Sequence, residues 1–574
     1  MKNMTEKKVI TAQAQGHNGP IDLEIGVENQ EIINVDVKKH SETKGIFNQV
    51  FSKLRNDILD NQSFDIDAIS GATVMSDAIL RSAKDAVEEA EVKIDSKKKD
   101  IPHVTEELHT DVVVIGGGEA GLVAGCRALK LGKKVILVEK NGYLGGATIL
   151  NGSNVTATGS KIAKNIFGDE ADNDTPEKLA DDVRRESKDT NIPELTNLMA
   201  NNIGDAIDFI SEFAGLEYRK AQTQTPEHSV ERQVELPTSS SYEFITKVAK
   251  AFEEKGGQIL LDSRVEEVIT DGDKITGIVT EGKHKTTKIF ASAVVLASGG
   301  YGANTKMRGP ESQGLYYYGP MTSTGDAYQF LAPLQLKTRN LGWYKVYPHG
   351  VETEPGIAKL TTYASKLATD MGVIYVNTDG KRIVNESDVY AELRDAVLKQ
   401  KDRVAFLVMD KRTWDEFYKL LVLHDFSESE IADYFAKDGK SNPILVKGSL
   451  QEVAQKAGID VAGLSETVQK YNDYAKQGKD EEFGRDSKFL HEYEGDEFYI
   501  IEQRDRFATT LGGFVTDADL HLQFENGNKL ANVVAAGEVI GGANGHDSMP
   551  SMMNSWGISS GFVAGKEAAE ISEN

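Results

Sequence analysis

The chain has 574 residues, of which 39% are hydrophobic and 27% are charged, as expected for a folded protein with several cores. Its net charge of −25 excludes nucleic acid and anionic membrane surfaces as expected partners, because both attract a basic surface. The single cysteine, Cys126, excludes an intrachain disulfide and a multi-cysteine iron–sulfur site, and the absence of Cys-x-x-Cys-His excludes covalent haem.

The beginning of the sequence is charged and is not followed by an apolar run, so we expect no secretory signal. Nor does the sequence contain an apolar stretch of the roughly 18 residues that a membrane helix requires. We therefore expect a cytoplasmic protein.

Residues 1–91 are predicted to form a small α+β domain. The alternation of apolar and polar residues in Val9–Val37 predicts strands, and the helical periodicity of Ile46–Leu59 and Ser76–Ala90 predicts two helices. Between these helices stands Asp67–Thr73, which reads Asp-Ala-Ile-Ser-Gly-Ala-Thr. It resembles the Asp-x-x-Ser/Thr-Gly-Ala-Thr signature at which a flavin transferase attaches FMN to threonine through a phosphoester. The residues expected at this FMN site are Asp67, Ser70, Gly71, Ala72 and Thr73.

A charged linker, residues 92–108, is predicted to lead into a dinucleotide-binding domain that begins with residues 109–340. Val112–Ile115 reads as a buried strand, Gly116–Gly121 as a glycine-rich turn, and the Ala/Leu-rich residues that follow as a helix. A second strand, Val135–Val138, ends at Glu139. This is Gly-x-Gly-x-x-Gly between a strand and a helix, with an acidic residue about 20 positions later that suits a ribose hydroxyl. No second complete unit of this kind is visible, so direct use of NADH is not expected.

Three further segments favour FAD over NAD as the dinucleotide. Gly145–Thr148 follows the second strand, where FAD proteins bring a loop to the cofactor. Val294–Gly300 and Val533–Glu538 both read as buried strands that end in glycine, and such late strands close the same site in FAD folds. We expect the FAD domain to resume with residues 508–574.

Residues 341–507 interrupt the FAD segments and are richer in charged and aromatic residues, with helices such as Lys411–Val422. We interpret them as an inserted α+β cap that can close over the flavin and exclude water. The predicted fold class is therefore α/β multidomain: an α+β FMN-binding domain, then a Rossmann-like FAD domain with an inserted cap (clamp) domain.

This order of domains resembles the fumarate reductase and urocanate reductase family of soluble flavoproteins. Local matches are Thr324–Ala327, Gly372–Glu386, Thr510–Phe514 and Ala536–Gly542. The resemblance implies noncovalent FAD, covalent FMN at Thr73, and hydride transfer to an activated alkene that a side chain then protonates. The residues expected to contact FAD are Gly116, Gly118, Glu119, Ala120, Gly121, Glu139, Lys140, Gly145, Gly146, Ala147, Thr148, Ser298, Gly299, Gly300, Gly325, Asp326 and Glu538.

The catalytic side chains of fumarate reductases are not present at the matching positions. Their Asn-Glu-x-x-x-Arg, whose arginine donates the proton, ends here in Tyr390, and their histidine before a proline in the cap is Tyr347. Two histidines are replaced by Ala508-Thr509, a carboxylate-binding arginine by Ser548, and a relay glutamate by Lys366. Because a dicarboxylate requires a bidentate cation at each end, fumarate is not the expected substrate.

The tyrosines and the methionines of the 549–553 turn favour a larger, flatter and less charged alkene, since aromatic rings and thioethers pack well on planar groups. Hydroxycinnamates, the substrates of the bacterial phenolic acid reductases that the chain resembles, fit this description. Tyr390 or, one helical turn later, Arg394 is the expected proton donor, and Tyr347 is a further catalytic candidate. The candidates for binding the substrate are Lys366, His349, His546 and Ser548.

Other functions remain open at the level of the sequence. An enone or ketosteroid-type reductase or dehydrogenase fits the tyrosines, fumarate or urocanate reduction fits the family, and an electron-transfer flavoprotein without a substrate is an alternative of another class. The expected partners are a small unsaturated substrate, a flavin transferase for maturation, and a separate NADH:flavin oxidoreductase or reduced free flavin as electron donor.

Overall fold

The computed structural model describes residues 7–16, 19–42, 44–97, 102–222, 224–423 and 426–573. The first six residues of the predicted FMN domain and residues 98–101 of the predicted linker lie outside this part of the chain. The chain divides into two compact units. The first consists of Met1–Gly309, Pro320–Tyr344 and Thr509–Asn574, and the second of Pro310–Gly319 and Lys345–Ala508.

The α-helices of the described residues are, in chain order, α1 (Lys44–Asn61), α2 (Thr73–Glu89), α3 (Glu119–Lys130), α4 (Lys161–Phe167), α5 (Pro176–Glu186), α6 (Pro193–Ala214), α7 (Ser241–Glu254), α8 (Ala327–Phe330), α9 (Thr362–Asp370), α10 (Tyr390–Leu398), α11 (Lys411–Leu423), α12 (Glu428–Lys437), α13 (Leu450–Ala457), α14 (Val461–Gln477) and α15 (Met552–Ile571). None of the helices in the described ranges is long and apolar enough to cross a membrane.

The strands are β1 (Lys8–Gln15), β2 (Pro20–Glu28), β3 (Glu31–His40), β4 (Val104–Ile115), β5 (Val135–Val138), β6 (Val155–Thr156), β7 (Arg219–Lys220), β8 (Gln233–Glu235), β9 (Gln258–Leu260), β10 (Arg264–Asp271), β11 (Lys274–Glu281), β12 (Lys285–Leu296), β13 (Tyr316–Tyr317), β14 (Thr338–Arg339), β15 (Tyr344–Tyr347), β16 (Gly350–Glu354), β17 (Ile357–Leu360), β18 (Ile374–Val376), β19 (Val404–Asp410), β20 (Leu445–Gly448), β21 (Phe498–Arg504), β22 (Arg506–Thr510), β23 (Gly513–Phe514), β24 (His521–Gln523) and β25 (Lys529–Ala535).

The N-terminal α+β domain is an antiparallel sheet, β1-β2-β3, with α1 and α2 packed on it. Ile21, Leu23 and Ile25 alternate along β2 and are almost fully buried, as the period of two in a strand requires. Val50, Leu54 and Ile58 are spaced by four along α1 and are fully buried on the same core. Helix α2 begins at Thr73 itself, so the last residue of the FMN motif is the first residue of a helix.

The core of the first unit is a sheet with the strand order β10-β11-β12-β4-β5-β9, in which β12, β4, β5 and β9 run parallel. Every residue of β5 is buried, because a parallel strand is covered on both faces. Strand β25 pairs in parallel with β12, through Val294–Val533 among others, and so returns the C-terminal segment to this sheet. Strand β4 already begins at Val104, within the segment predicted as linker, because its first half pairs with the first half of β12.

The second unit contains a four-stranded antiparallel sheet with the order β18-β19-β21-β20. All residues of β19 are buried, because separate apolar cores cover the two faces of this sheet. A further sheet has the order β15-β22-β13-β17-β16. The segment 310–319 joins this unit because Tyr316 and Tyr317 of β13 pair with Arg506 and Phe507 of β22, a pairing that the sequence prediction did not include.

Candidate functional site

The turn between β4 and α3 has the backbone geometry of a pyrophosphate site. Gly116 has a φ of +115°, and a Cβ there would lie 2.2 Å from the carbonyl oxygen of Ala297. A Cβ at Gly121 would lie 2.0 Å from the carbonyl oxygen of Gly116, so only glycine lets α3 pack this closely on the turn. At Gly118 the closest atom to an added Cβ is the carbonyl oxygen of Gly145 at 3.8 Å, which leaves this side of the turn open. The first N–H groups of α3 therefore suit a phosphate of FAD.

Glu139, at the end of β5, is in place to accept a hydrogen bond from a ribose. It is 6% exposed, and its two carboxylate oxygens accept hydrogen bonds from the backbone N–H groups of Gly117 at 2.8 Å and Asn141 at 2.9 Å. Burial raises the pKa of Glu139, while the two backbone donors act in the opposite direction. The donors fix the carboxylate beside the glycine turn and leave it further acceptor capacity.

Glu119 and Ala120, the first residues of α3, lie where α3 packs on α15. Each is 8% exposed, and burial raises the pKa of Glu119 well above its usual range. A Cβ at Gly557 would lie 2.5 Å from a carboxylate oxygen of Glu119, and a Cβ at Gly561 would lie 2.5 Å from the carbonyl oxygen of Ala120. Both predicted cofactor residues thus contact glycines of α15, which hold the start of α3 in position.

The other segments predicted to close the FAD site meet at the same turn. The N–H of Gly145 donates to the carbonyl oxygen of Gly117 at 3.0 Å, and Thr148 accepts from the N–H of Glu119 at 3.4 Å. At the end of β12, the N–H of Ala297 donates to the carbonyl oxygen of Ile115 at 2.8 Å. These hydrogen bonds bring the loop of Gly145, Gly146, Ala147 and Thr148 and the segment of Ser298, Gly299 and Gly300 to the glycine turn.

Glu538 lies next to this segment. A Cβ at Gly300 would lie 2.1 Å from a carboxylate oxygen of Glu538, so the two chains approach closely. That oxygen accepts hydrogen bonds from the N–H and the hydroxyl of Thr510, both at 2.8 Å. Burial raises the pKa of Glu538 to about 6. The residues present therefore fit FAD, with the phosphates at the glycine turn and Glu139 at the ribose.

The predicted FMN-attachment loop packs directly on the segment that follows β5. The carbonyl oxygen of Ser70 accepts from the N–H of Gly142 at 3.0 Å, and the Ser70 hydroxyl donates to the carbonyl oxygen of Lys140 at 3.2 Å. The Tyr143 hydroxyl donates to the carbonyl oxygen of Gly71 at 3.4 Å. Thr73 is exposed at the start of α2, beside Ala72, so its hydroxyl is accessible to a modifying enzyme.

Asp67, the first residue of the motif, holds the other end of the loop. It forms an ion pair with Lys283, and its carboxylate lies at hydrogen-bond distance, 3.1 Å, from Nε2 of His284 of the FAD domain. The hydrogen bond from Lys283 is the largest cause that lowers the pKa of Asp67. The loop is therefore fixed at both ends against the FAD domain, as expected for a site that must present a cofactor in one position.

Lys140, Gly325 and Asp326 lie on the side of the FAD domain that faces this loop. The Lys140 ammonium contacts Asp326 at 3.0 Å and the Thr324 hydroxyl at 2.8 Å, and Arg264 contacts Asp326 at 3.1 Å. A Cβ at Gly325, whose φ is +69°, would lie 2.7 Å from the sulfur of Met307, so the chain must turn tightly there. Lys140 and Asp326 line a cleft together with Ser70 and Gly71 of the FMN loop, and Gly325 precedes Asp326 in the chain.

The second unit contains a cluster of aromatic side chains around one histidine. The ring of His349 lies edge-on to Tyr390, with a centroid distance of 5.2 Å and an interplanar angle of 89°. Tyr347 lies 6.4 Å from Tyr390 and Tyr375 lies 6.5 Å from His349, again between ring centroids. The structure therefore brings together three of the predicted site residues, Tyr347, His349 and Tyr390, from β15, the residues before β16, and the start of α10.

Arg506 of β22 supplies the positive charge of this cluster, and the sequence prediction missed it. It is 2% exposed, donates to the carbonyl oxygen of His349, and donates to the Thr362 hydroxyl at 2.6 Å. Its guanidinium carbon lies 4.0 Å from the centroid of the Tyr318 ring and 5.1 Å from that of Tyr347. One terminal nitrogen of this guanidinium, Nη1, has no hydrogen-bond partner within the described residues. A buried guanidinium with an unused donor is suited to hold an anion.

Local sequence explains how this arginine can be buried. A Cβ at Gly350 would lie 2.6 Å from Cδ of Arg506, so glycine on the neighbouring strand leaves the space for the side chain. The detectable signal in the sequence is the polar run Glu502–Arg506 between the apolar residue Ile501 and Phe507, at the junction of β21 and β22. Charged side chains are seldom fully buried unless they are paired, so such a run between apolar residues marks a candidate site.

Burial sets the protonation of the cluster. Both ring nitrogens of His349 are buried without a hydrogen-bond partner in the described ranges, and burial, with Arg506 and Lys366 nearby, lowers the pKa of His349 to about 3. Burial also raises the pKa of Asp505 well above its usual range, although Arg394, Arg403 and Arg506 act in the opposite direction. His349 is therefore neutral at physiological pH, and Arg506 is the charged group closest to its carbonyl.

Lys345 provides a second cation near the same rings. Its ammonium lies 4.8 Å from the centroid of the Tyr347 ring, and the residue is 4% exposed.

Two further predicted candidates of the second unit are Lys366 and Arg394. The side chain of Lys366 is 37% exposed, and its ammonium lies 3.9 Å from the carboxylate of Asp370, one turn along α9. Arg394, one turn after Tyr390, is 7% exposed and contacts Asp395 at 2.8 Å.

The remaining two candidates belong to the first unit. His546 is exposed and lies edge-on to Trp343, with 5.4 Å between ring centroids. Ser548 is 2% exposed and donates to the carbonyl oxygen of Met549 at 3.3 Å, next to the main core. Met549 and Met552 are themselves part of that core.

Comparison with known proteins identifies two flavin-binding domains in the chain. Residues 111–552 match the family described as FAD binding domain, and residues 16–88 match the one described as FMN-binding domain. The chain belongs to the FAD binding domain family and carries an FMN-binding domain at its N-terminal side. It is an oxidoreductase that acts on CH–CH bonds.

The relatives are reductases of unsaturated compounds. The urocanate reductase of Eggerthella lenta is 27% identical over 98% of this chain and 92% of its own length. The NADH:acrylate oxidoreductase of Vibrio harveyi is 25% identical over 98% of this chain, which spans 61% of that relative. Among solved structures, the open conformation of a flavocytochrome c3 fumarate reductase superposes with a TM-score of 0.65 at 25% identity, covering 81% of this chain and 79% of that one. The resemblance to fumarate and urocanate reductases and the α/β multidomain fold class are both confirmed.

Proposed function

We propose that the chain reduces the activated carbon–carbon double bond of an aromatic α,β-unsaturated acid, with a hydroxycinnamic acid as the expected example. The observation that carries this proposal is the buried guanidinium of Arg506 among aromatic rings in the second unit. The terminal nitrogen of Arg506 that has no partner within the described residues can donate to one carboxylate, and flat aromatic faces suit the ring of the substrate.

The similarity to known reductases supports this substrate class. Two of the relatives are named for urocanate and for acrylate. Urocanate is an acrylate that carries an imidazole ring, and acrylate is the simplest acid of this type. An acid with a single carboxylate and a planar ring suits the cluster because Arg506 is a buried cation among aromatic rings there, and Tyr390 stands where the resemblance to fumarate reductases leads us to expect an arginine.

Tyr390 is the proposed proton donor. FAD, when bound, supplies the hydride for such a reduction, so the chain itself must supply the proton. A phenol with an ordinary pKa of about 10 donates a proton more readily when a nearby cation stabilises the phenolate that remains. Tyr390 lies against His349, whose carbonyl holds Arg506. Arg394, the alternative, is already engaged by Asp395.

We further propose that FMN is attached to Thr73 through a phosphoester and that FAD is held without a covalent bond. The exposure of Thr73 at the end of the matched motif supports the attachment, which requires a flavin transferase. The FMN-binding domain is the expected entry point for electrons, and a separate NADH:flavin oxidoreductase or reduced free flavin is the expected donor.

The test is the anaerobic oxidation of reduced methyl viologen by the purified protein with p-coumarate, caffeate, urocanate, fumarate, a cyclic enone and p-vinylphenol. Rapid turnover of the hydroxycinnamates and slow turnover of fumarate is the expected result. Rapid turnover of fumarate would contradict the assignment of the substrate class.

A variant of Arg506 tests the role of its charge. p-Vinylphenol is p-coumarate without the carboxylate, so Arg506→Gln should raise KM for p-coumarate about 10- to 100-fold and change KM for p-vinylphenol little. Arg412→Gln, at an exposed arginine of the same unit, is the matched control, and the circular dichroism spectrum and thermal melt of each variant, compared with those of the parent protein, show whether it is folded. An equal loss with both compounds would show that Arg506 acts on folding rather than on the carboxylate.

A further inference from the structure

The first unit contains an open cleft of about 910 Å³ between the FMN-attachment loop and the FAD domain. Ala68, Ser70 and Gly71 of the loop line one side. The other side is lined by residues of the FAD domain, among them Lys140, Asn141 and Met321. The volume lies within the range of roughly 300–1,000 Å³ that small-molecule and cofactor sites occupy.

The two walls of the cleft are held together closely. A Cβ at Gly71 would lie 2.5 Å from the side-chain oxygen of Asn141, and a Cβ at Gly142 would lie 2.5 Å from Ile69. The side chain of Gln49 exchanges two hydrogen bonds of 3.2 Å with the backbone of Leu144. The attachment loop therefore borders the cleft in a fixed position, and Thr73 follows two residues after Gly71.

The lining of the cleft is mostly polar and includes charged side chains, among them Arg264, Lys283 and Asp326, with Met321 as a large apolar side chain. Met321 is 56% exposed and lines the same cleft as Ala68, Ser70 and Gly71 of the loop. Lys140, Asn141 and Asn304 offer hydrogen-bond donors along the same cleft. An isoalloxazine ring has one apolar end and one end that accepts hydrogen bonds, and thioethers pack well on aromatic rings.

We infer that the isoalloxazine ring of FMN carried on Thr73 lies in this cleft, against Met321 and beside Lys140 and Asn141. The inference rests on the proposed attachment at Thr73.

One short segment then borders both flavin sites. Lys140 and Asn141 line the cleft, whereas Glu139 and Gly145 hydrogen-bond to Gly117 in the turn of the FAD site. FMN in the cleft and FAD at the turn are therefore neighbours across residues 139–145.

The test uses the full chain made together with a flavin transferase. Fluorescence of the denatured protein on a gel first establishes whether FMN is attached; a missing band reports failure of the attachment and not of the ring position. A redox titration then measures the ratio of oxidised to reduced FMN at a fixed potential, with Thr73→Ala supplying the spectrum of FAD alone. A negative charge placed beside the ring should disfavour its reduced, more electron-rich form.

Met321→Glu is expected to shift this ratio roughly tenfold toward oxidised FMN, because a charge in contact with the ring acts through a low effective dielectric. Gln329→Glu, an exposed and isosteric change in the same cleft, should shift it in the same direction. Met321→Gln and Val9→Glu, the latter at an exposed position on β1, should leave the ratio unchanged. If FMN is attached and neither cleft glutamate changes the ratio more than Val9→Glu does, the ring lies elsewhere.

Discussion

Arg506 and His349 form one electrostatic arrangement, in which the arginine keeps its charge and the histidine stays neutral. Arg506 is 2% exposed and binds the carbonyl oxygen of His349, while burial lowers the pKa of that histidine to about 3. A buried cation is costly unless partner groups satisfy it, which suits Arg506 to the proposed carboxylate of the substrate. The same pair stands next to Tyr390, the proposed proton donor.

Replacing Tyr390 by phenylalanine removes the proposed acid and keeps the ring. Tyr390→Phe should lower kcat about 100-fold or more and leave KM for p-coumarate nearly unchanged, because general acid catalysis acts on the transition state. Steady-state kinetics with reduced methyl viologen measures both constants. Tyr418→Phe, on α11 of the same unit, is the control and should behave like the parent protein. Near-normal turnover of Tyr390→Phe together with a large loss in Arg394→Lys would transfer the role to Arg394.

The neutrality of His349 predicts a pH dependence of stability. Its folded-state pKa of about 3 lies below the ordinary value of 6.5, so between these values the unfolded chain binds a proton that the folded chain does not. The corresponding stability is complete above pH 6.5 and is lost as the pH falls, by ~1.4 kcal/mol per pH unit.

His349→Gln should remove this loss and flatten the acid side of the stability curve. Denaturant unfolding of the second unit at pH 7.5 and pH 5 measures the difference, and His491→Gln, at an exposed histidine of the same unit, is the control. If the unfolding free energy of His349→Gln falls between pH 7.5 and pH 5 by as much as that of the parent protein, the histidine is not held neutral.

At the level of elements, the strand–turn–helix unit of the FAD site is the part that local sequence specifies most completely. Val112–Ile115 form the last four residues of β4, α3 begins after Gly118, and Glu139 follows β5 directly. Each of these features follows from neighbouring residues, since the turn needs glycine and the strands need apolar runs.

Gly121→Ala tests the close contact in this unit. Its Cβ would lie 2.0 Å from the carbonyl oxygen of Gly116, so the substitution should displace α3, cost about 1–3 kcal/mol of unfolding free energy and abolish retention of FAD. Flavin absorbance after gel filtration gives the readout. Gly132→Asn is the control, because nothing lies within 4 Å of a Cβ there and asparagine tolerates its φ of +84°. Full FAD content in Gly121→Ala would contradict the assigned site.

Other elements depend on partners that are distant in the chain. Strand β13 has two residues and belongs to the second unit because of its pairing with β22, nearly two hundred residues later. The first half of β4 has a charged composition that resembles a linker, and it is a strand because β12 pairs with it. Local propensity cannot reveal such strands, since the stabilising partner is not nearby in sequence.

At the scale of the molecule, the N-terminal domain is expected to carry FMN at a site distinct from the FAD site. Thr73→Ala should eliminate fluorescence of the denatured chain on a gel and leave the FAD content unchanged, because the attachment loop and the glycine turn are different sites. Val74→Ala, at the adjacent residue, which is 62% exposed, should keep the fluorescent band. A band that persists in Thr73→Ala would contradict attachment at this residue.

The sequence by itself determined the nature of the flavins and the class of reaction. The motif ending in Thr73, the glycine turn and Glu139 are local patterns, and each carries its chemistry within a few residues. It also identified Tyr347 and Tyr390 as candidates, because they depart from the fumarate reductase pattern at single positions, and it named His349 as a candidate for binding the substrate.

Only the tertiary structure decided which of these candidates lie together. Tyr347, His349 and Tyr390 meet around Arg506, whereas His546 and Ser548 belong to the first unit. Likewise, the packing of the Asp67–Thr73 loop on residues 140–144 joins segments some seventy positions apart. The reason is physical: a site of this kind is assembled by strand pairing and by burial of the connecting side chains, and neither is encoded in adjacent residues.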